Sequence, residues 1–193
     1  GVVLHYELWG EPDLPSSYSG NIDQLLALSR IAYFALKAVD SNITVISPAV
    51  SRASSISYLD RYLERGGGDF SDVIGFHFYV APGRPEILVK DISDVKTIVA
   101  KHRLIKPIWN TEIGWRIING DKNVDTELWA GVPLTSEQAA AYFARSVLLS
   151  WSGGIERMFW YAWGHRSMGM TEYDLRTPKF IAIAYDVLRT WID

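Results

Sequence analysis

The sequence contains no cysteine among its 193 residues, and it has only 3 methionines and 4 histidines. Without cysteine the chain has no disulfide, no thiolate metal site and no cysteine nucleophile. It also lacks an excess of basic residues, because 19 Lys and Arg stand against 22 Asp and Glu for a formal charge of −3. This balance argues against nucleic acid and against anionic membrane surfaces as partners.

Long hydrophobic runs and cofactor motifs are absent as well. No apolar stretch approaches the roughly 18 residues that a membrane-spanning helix needs, so we expect no membrane partner. The glycine run at residues 66–68 lacks the GxGxxG pattern, and the histidines have no metal-ligand spacing. We therefore predict neither a cofactor nor a metal. No targeting segment is visible, which leaves the localisation unknown.

What the sequence does contain is a globular composition, 48% hydrophobic and 13% aromatic, with 8 Trp, 10 Tyr and 7 Phe. A chain of this length and apolar content builds one sizeable core. We therefore predict a single domain over residues 1–193. The aromatic content is the unusual feature of this composition.

Hydrophobic periodicity alternates between strand and helix along the whole chain. Runs of β type occur at residues 2–9, 43–50, 73–80, 106–113 and 155–163, and helical patterns follow at 21–39, 54–65, 87–103, 135–151 and 177–192. Such alternation predicts an α/β fold with a parallel sheet and helices packed outside it. Periodicity alone allows either an open doubly wound sheet or a (βα)₈ barrel.

The ends of the predicted strands carry residues suited to catalysis. Glu11 follows the first strand, and Glu112 lies near the end of the fourth. Two carboxyl groups on one rim suit glycosidic bond cleavage, in which one donates a proton and the other attacks or activates water. Because the two glutamates lie three strand units apart, at roughly 4.8 Å per strand, only a barrel-like curvature brings them face to face. Strand alternation predicts a common face for His77 and Tyr79, and another for Asn110 and Glu112.

Four segments together resemble clan A of the glycoside hydrolases, the retaining (βα)₈ enzymes that include cellulases, xylosidases and iduronidases. They are ELWGEPD at residues 7–13, HFY at 77–79, PIWNTEIGW at 107–115 and WYAW at 160–163. In that clan they correspond to strands four, six, seven and eight, in this order. The resemblance implies that the chain holds five of the eight barrel units, strands four to eight, with the three amino-terminal units missing.

By this resemblance Glu11 is the general acid/base and Glu112 is the nucleophile, in a retaining hydrolase of oligo- or polysaccharides. Tyr79 hydrogen-bonds Glu112, and His77 contacts the sugar or Glu11. The remaining predicted substrate-binding residues are Trp163 or Trp160 as the stacking platform, together with Asn110 and His165. One departure is Gly10, which stands where the clan has the asparagine that binds the sugar 2-hydroxyl.

Other interpretations stay open at this point. The chain could be an inactive carbohydrate-binding relic, a fragment of a longer glycosidase, or a scaffold whose carboxylates are structural. Five parallel strands also leave two open edges, which predicts self-association or cover by the missing amino-terminal part. Glu7, in the middle of the first strand, is expected to pair with a cation rather than to do chemistry.

Overall fold

A computed structural model of the protein describes residues 3–118 and 131–192, so most of the predicted loop at 114–134 lies outside the described residues. Five strands alternate with five helices: β1 (His5–Glu7), α1 (Ile22–Val39), β2 (Thr44–Ile46), α2 (Ile56–Glu64), β3 (Ile74–His77), α3 (Ile87–Lys101), β4 (Ile108–Ile113), α4 (Ser136–Ser152), β5 (Arg157–Trp160) and α5 (Phe180–Ile192). The predicted alternation is confirmed, although the observed strands are shorter than the apolar runs.

The strands form two small parallel sheets, β1-β2 and β3-β4-β5. Isolated parallel bridges pair Ile46 with Val73 and Val50 with Phe76, and so link β2 to β3. The five strands therefore follow one another in chain order and all run parallel. This confirms the parallel α/β fold.

Local signals fix the starts of two helices. Asn21 and Gln24 form a capping box at the start of α1, and Thr135 and Gln138 form another before α4. The last helix differs from its prediction, because it begins at Phe180 rather than near Thr177. The Thr177 hydroxyl and backbone N–H donate to the Asp174 carboxylate, which holds Thr177 in a turn instead of at a helix cap.

The helices cover the outer face of the strands and build two apolar clusters. The larger cluster joins β3 and β4 to α1, α2 and α3, with residues such as Leu59, Phe76 and Val95 fully buried. The smaller one lies between α4 and α5 around Phe143 and Ile181. Within the described part of the chain, no helix is long and apolar enough to span a membrane.

The opposite, inner face of the strands curves enough for the first and last strands to touch. The indole of Trp109 on β4 lies 5.3 Å from the His5 ring on β1 and 4.5 Å from the Arg157 guanidinium on β5. The same guanidinium lies 2.9 Å from the His5 Nε2 atom. These three residues, called the amino-end stack below, lie on the inner face at the amino ends of the strands, where Trp109 also packs on Ile46 and Val73.

Candidate active site

The loop after β1 presents Glu11 at the carboxyl ends of the strands. Backbone pairing holds this loop, because Gly10 bridges to Ala49 and the Glu11 N–H donates to the Ala49 carbonyl at 2.8 Å. Asp13 accepts hydrogen bonds from the backbone and hydroxyl of Ser51, which fastens the loop to the end of β2. Glu11 itself has a φ of 54°, a left-handed conformation that is costly for a residue with a side chain and that clusters at functional sites.

A β-bulge in β4 decides which of its side chains reach this site. Phe76 of β3 pairs with Asn110, but the next residue, His77, pairs with Glu112, so Thr111 is an extra residue. The bulge turns Glu112 to the inner face and leaves Asn110 on the outer face, where it is fully buried and accepts from the Phe78 N–H. The prediction that Asn110 and Glu112 share a face is thus wrong, and Asn110 does not line the site.

His77 lies at the centre of three carboxylates. Its Nδ1 atom is 3.1 Å from Glu11 Oε1, and its Nε2 atom is 3.6 Å from both Glu7 Oε1 and Glu112 Oε2. Burial alone would lower the pKa of His77, but the contacts with Glu11 and Glu7 and the charge of Glu112 raise it to about 9. At neutral pH the ring is therefore a cation among three carboxylates. His77 and the three glutamates around it are called the carboxylate cluster below.

Tyr79 lies two residues beyond His77 on the same inner face, as alternation predicts. Its hydroxyl donates to Glu112 Oε1 at 2.5 Å. Burial, followed by the hydrogen bond and the charge of Glu112, raises the pKa of Tyr79, so the hydroxyl keeps its proton. This hydrogen bond holds the Glu112 carboxylate in place at the cavity.

A cavity of about 360 Å³ opens over the two glutamates. It is lined by Glu11, Leu14, Arg52, Tyr79, Glu112, Tyr161, His165 and Met168. The structure thus brings Glu11, Tyr79, Glu112 and His165 together as predicted, with His77 beneath them. Sequence analysis did not single out Arg52, although its place directly after the second predicted strand was a signal.

The two predicted stacking residues lie elsewhere. Trp160 packs between the two apolar clusters, stacks on Trp115 and donates its N–H to the Met168 carbonyl. Trp163 is 58% exposed and does not line the cavity. Tyr161 lines it instead, because alternation along β5 places Arg157, Phe159 and Tyr161 on the inner face. That alternation was the signal for Tyr161 in the sequence.

The carboxylate cluster also has the composition of a cation site. Glu11, His77 and Glu112 each offer one atom, and these atoms lie within 4.8 Å of one another. At neutral pH a metal ion would have to compete with a proton on the His77 ring, because the neighbouring carboxylates outweigh burial and raise the pKa of that ring. The contacts that the structure shows for these three residues are the hydrogen bonds and ion pairs described above.

Comparison with known proteins gives one family. The sequence pattern of the glycosyl hydrolase catalytic core family matches residues 7–176, which is most of the chain. A search among curated proteins finds no match.

Several solved structures share the fold. One is a GH128 (subgroup I) endo-beta-1,3-glucanase from Amycolatopsis mediterranei, at a TM-score of 0.69 and 18% identity over 95% of this chain and 72% of that one. A GH128 (subgroup III) curdlan-specific exo-beta-1,3-glucanase from Blastomyces gilchristii aligns at 0.63 and 16% identity, over 94% of this chain and 69% of that one. The GH53 catalytic domain of Ignisphaera aggregans aligns at 0.61 and 16% identity, over 93% and 57%.

Proposed function

We propose that this chain, which belongs to the glycosyl hydrolase catalytic core family, hydrolyses a glycan by a retaining mechanism with Glu112 as nucleophile and Glu11 as general acid/base. The observation that carries the proposal is the approach of the two carboxyl groups. One oxygen of each lies within 4.8 Å of the other, across the mouth of one cavity. Retaining glycosidases have carboxyl groups about 5–5.5 Å apart, whereas inverting ones need about 6.5–9.5 Å.

The hydrogen bonds support the division of roles. The Tyr79 hydroxyl donates to Glu112 Oε1 and fixes the orientation of this carboxylate, as a nucleophile requires. Glu11 receives one hydrogen bond, from His77 at Oε1, so its other oxygen is the one that can carry a proton to the substrate.

Two steps then follow. In the first, a Glu112 oxygen bonds to the anomeric carbon while the glycosidic C–O bond breaks and Glu11 gives its proton to the leaving oxygen. In the second, Glu11 takes a proton from water, the water oxygen bonds to the anomeric carbon, and the bond to Glu112 breaks. Both carboxyl groups return to their starting states.

The cavity wall supports binding of a sugar ring. Tyr161 offers an aromatic face with a polar edge, and its ring centroid lies 5.0 Å from that of His165. The Arg52 side chain adds hydrogen-bond donors on the opposite loop. Two of the structural neighbours act on β-1,3-glucans, and one was solved with laminaritriose, so a β-1,3-linked glucan is the first substrate to test.

The sheet edges support a related proposal, that the five units form an arc of an eight-unit barrel whose remaining units cover both edges. Apolar side chains are exposed on the outer helices at each end: Leu28, Ile31 and Phe34 on α1, and Phe180, Ile183 and Trp191 on α5. Without cover, these faces and the open strands predict self-association of the 193-residue chain in light scattering. A monodisperse monomer at high concentration would contradict this arrangement.

The function is tested with Glu112→Gln and Glu11→Gln on laminari-oligosaccharides and an aryl glycoside. Each variant is expected to lose activity on the order of 10³-fold or more, and azide should partly restore the Glu11 variant on the aryl glycoside. NMR of the first product formed should show the same anomeric configuration as the bond that was cleaved in the substrate. Glu64→Gln on the exposed side of α2 is the matched control and keeps full activity.

Two outcomes would contradict the proposal. Full activity in either catalytic variant would remove the assigned roles. Calorimetric binding of oligosaccharide by the wild-type chain with no product would favour a carbohydrate-binding protein without catalysis.

A further inference from the structure

Glu7 is the member of the carboxylate cluster that the two-step mechanism does not use. It ends β1, directly before the loop that carries Glu11, and its Oε1 atom is 3.6 Å from His77 Nε2. Its second oxygen, Oε2, is buried and has no hydrogen-bond partner among the described residues. A half-buried carboxylate with one enclosed oxygen is costly unless a cation compensates its charge, and His77 is the cation in contact with it.

The neighbouring backbone is shaped to admit this carboxylate. A Cβ atom on Gly75 of β3 would lie 2.8 Å from Ile46 Cγ2 and 3.1 Å from Glu7 Oε2, both closer than such atoms normally pack. A Cβ atom on Gly10 would meet Glu7 Oε1 and His77 Cε1 at 4.0 Å. The glycine in β3 therefore leaves the room in which the Glu7 carboxylate lies against the His77 ring.

The charged groups around His77 divide between its two nitrogens. Glu11 faces Nδ1 from the loop after β1, while Glu7 of β1 and Glu112 of β4 face Nε2 at equal distances. Tyr79, next along β3, has its ring centroid 6.3 Å from the imidazole and donates its proton to Glu112. Glu7 is thus the carboxylate that faces His77 but takes no part in the two proposed reaction steps.

From this geometry we propose that Glu7 is a positioning residue that keeps the His77 ring oriented and charged, so that its Nδ1–H is directed at Glu11. The role in catalysis rests on the proposed function. When Glu112 forms the ester with the sugar it loses its charge, and Glu7 then remains as the counter-ion at Nε2. His77 therefore remains a hydrogen-bond donor to Glu11 while Glu11 changes from general acid to general base.

The first test uses the wild-type chain and needs no activity. In ¹⁵N-labelled protein at pH 7.5, both ring nitrogens of His77 are expected to be protonated, with the resonances assigned by their loss in His77→Gln. Glu7→Gln should lower the pKa of His77 by about one unit or more, a tenfold or greater loss of proton affinity. Glu7→Asp should lower it less, and Glu64→Gln should leave it unchanged.

The second test is kinetic. Because Glu7 does not line the substrate cavity, Glu7→Gln should lower kcat roughly 10- to 100-fold with KM nearly unchanged, and Glu7→Asp should recover part of the loss. A neutral His77 in the wild-type protein, or an unaltered His77 titration in folded Glu7→Gln, would overturn the proposal. An inactive wild-type chain with the expected titrations would instead contradict the proposed function and leave the Glu7–His77 pairing in place.

Discussion

The inner face of the strands carries two clusters of side chains, each with one histidine, and they differ in how their polar groups are satisfied. In the amino-end stack, Trp109 contacts both His5 and Arg157, which also contact each other, and its N–H donates to the Glu156 carboxylate. In the carboxylate cluster, one imidazole faces three acids, and a buried oxygen of Glu7 has no partner. Both clusters lie on the same face of the same strands.

This difference indicates that one cluster stabilises the fold and that the other is suited to chemistry. The amino-end stack gains aromatic and cation–aromatic contacts and leaves its polar groups paired, which is the pattern of a cluster that stabilises the fold. The carboxylate cluster gathers like charges around a cavity, an arrangement that costs stability and persists where chemistry needs it. In parallel α/β folds function lies at the carboxyl ends of the strands, in agreement with this contrast.

The largest effect on stability is expected at the amino-end stack. Trp109→Ala should lower the free energy of unfolding by about 3–5 kcal/mol, because it empties a site that is only 3% exposed. Denaturant titration measures the loss, and Trp151→Ala, on the exposed side of α4, should cost less than about 0.5 kcal/mol. The folded fraction of Trp109→Ala should keep the wild-type kcat, and a hundredfold loss of kcat would show that the two clusters are coupled.

The next effect is the pH dependence of stability from His77. Its pKa of about 9 in the folded chain lies above the usual 6.5, so its contribution is complete below pH 6.5 and is lost as pH rises through 9. The loss should be on the order of 3 kcal/mol in urea titrations between pH 6.5 and 9.5. His77→Gln should remove this slope, whereas His102→Gln should keep it. Equal slopes in wild type and His77→Gln would contradict the charged state of His77.

The smallest effect is expected on KM, and it is tested at two positions on the inner face of β5 and at its carboxyl end. Tyr161→Ala should raise KM for an oligosaccharide roughly three- to tenfold, from the loss of about 0.5–1.5 kcal/mol of stacking. Phe159→Ala, two residues nearer the amino-end stack, should leave KM unchanged and lower stability, since Phe159 packs against Trp109. Tyr161→Phe should bind almost as the wild type. An unchanged KM in Tyr161→Ala would place the sugar elsewhere.

Much of the fold could be predicted from the sequence because it depends on local signals. The alternating periodicities predicted the five strand–helix units, and the helical pattern predicted from residue 135 matches α4, which Thr135 caps. The start of α5 could not be predicted in the same way. Thr177 and Pro178 have the pattern of a helix start, but Asp174 binds Thr177 and an antiparallel bridge pairs Pro178 with Thr171.

For the site as well, some features follow from local sequence signals and others only from the tertiary structure. The sequence alone determined which glutamates follow the strands, that His77 and Tyr79 share a face, and that this combination is typical of glycosidic bond cleavage. Only the tertiary structure decided that Asn110 turns away and that Tyr161, rather than Trp160 or Trp163, lines the cavity. It also decided that Glu7 contacts His77 beside Gly75, which has no side chain to block the carboxylate. The physical reason is that strand alternation is local, whereas a bulge, a sheet curvature and a missing Cβ act only once neighbouring strands are side by side.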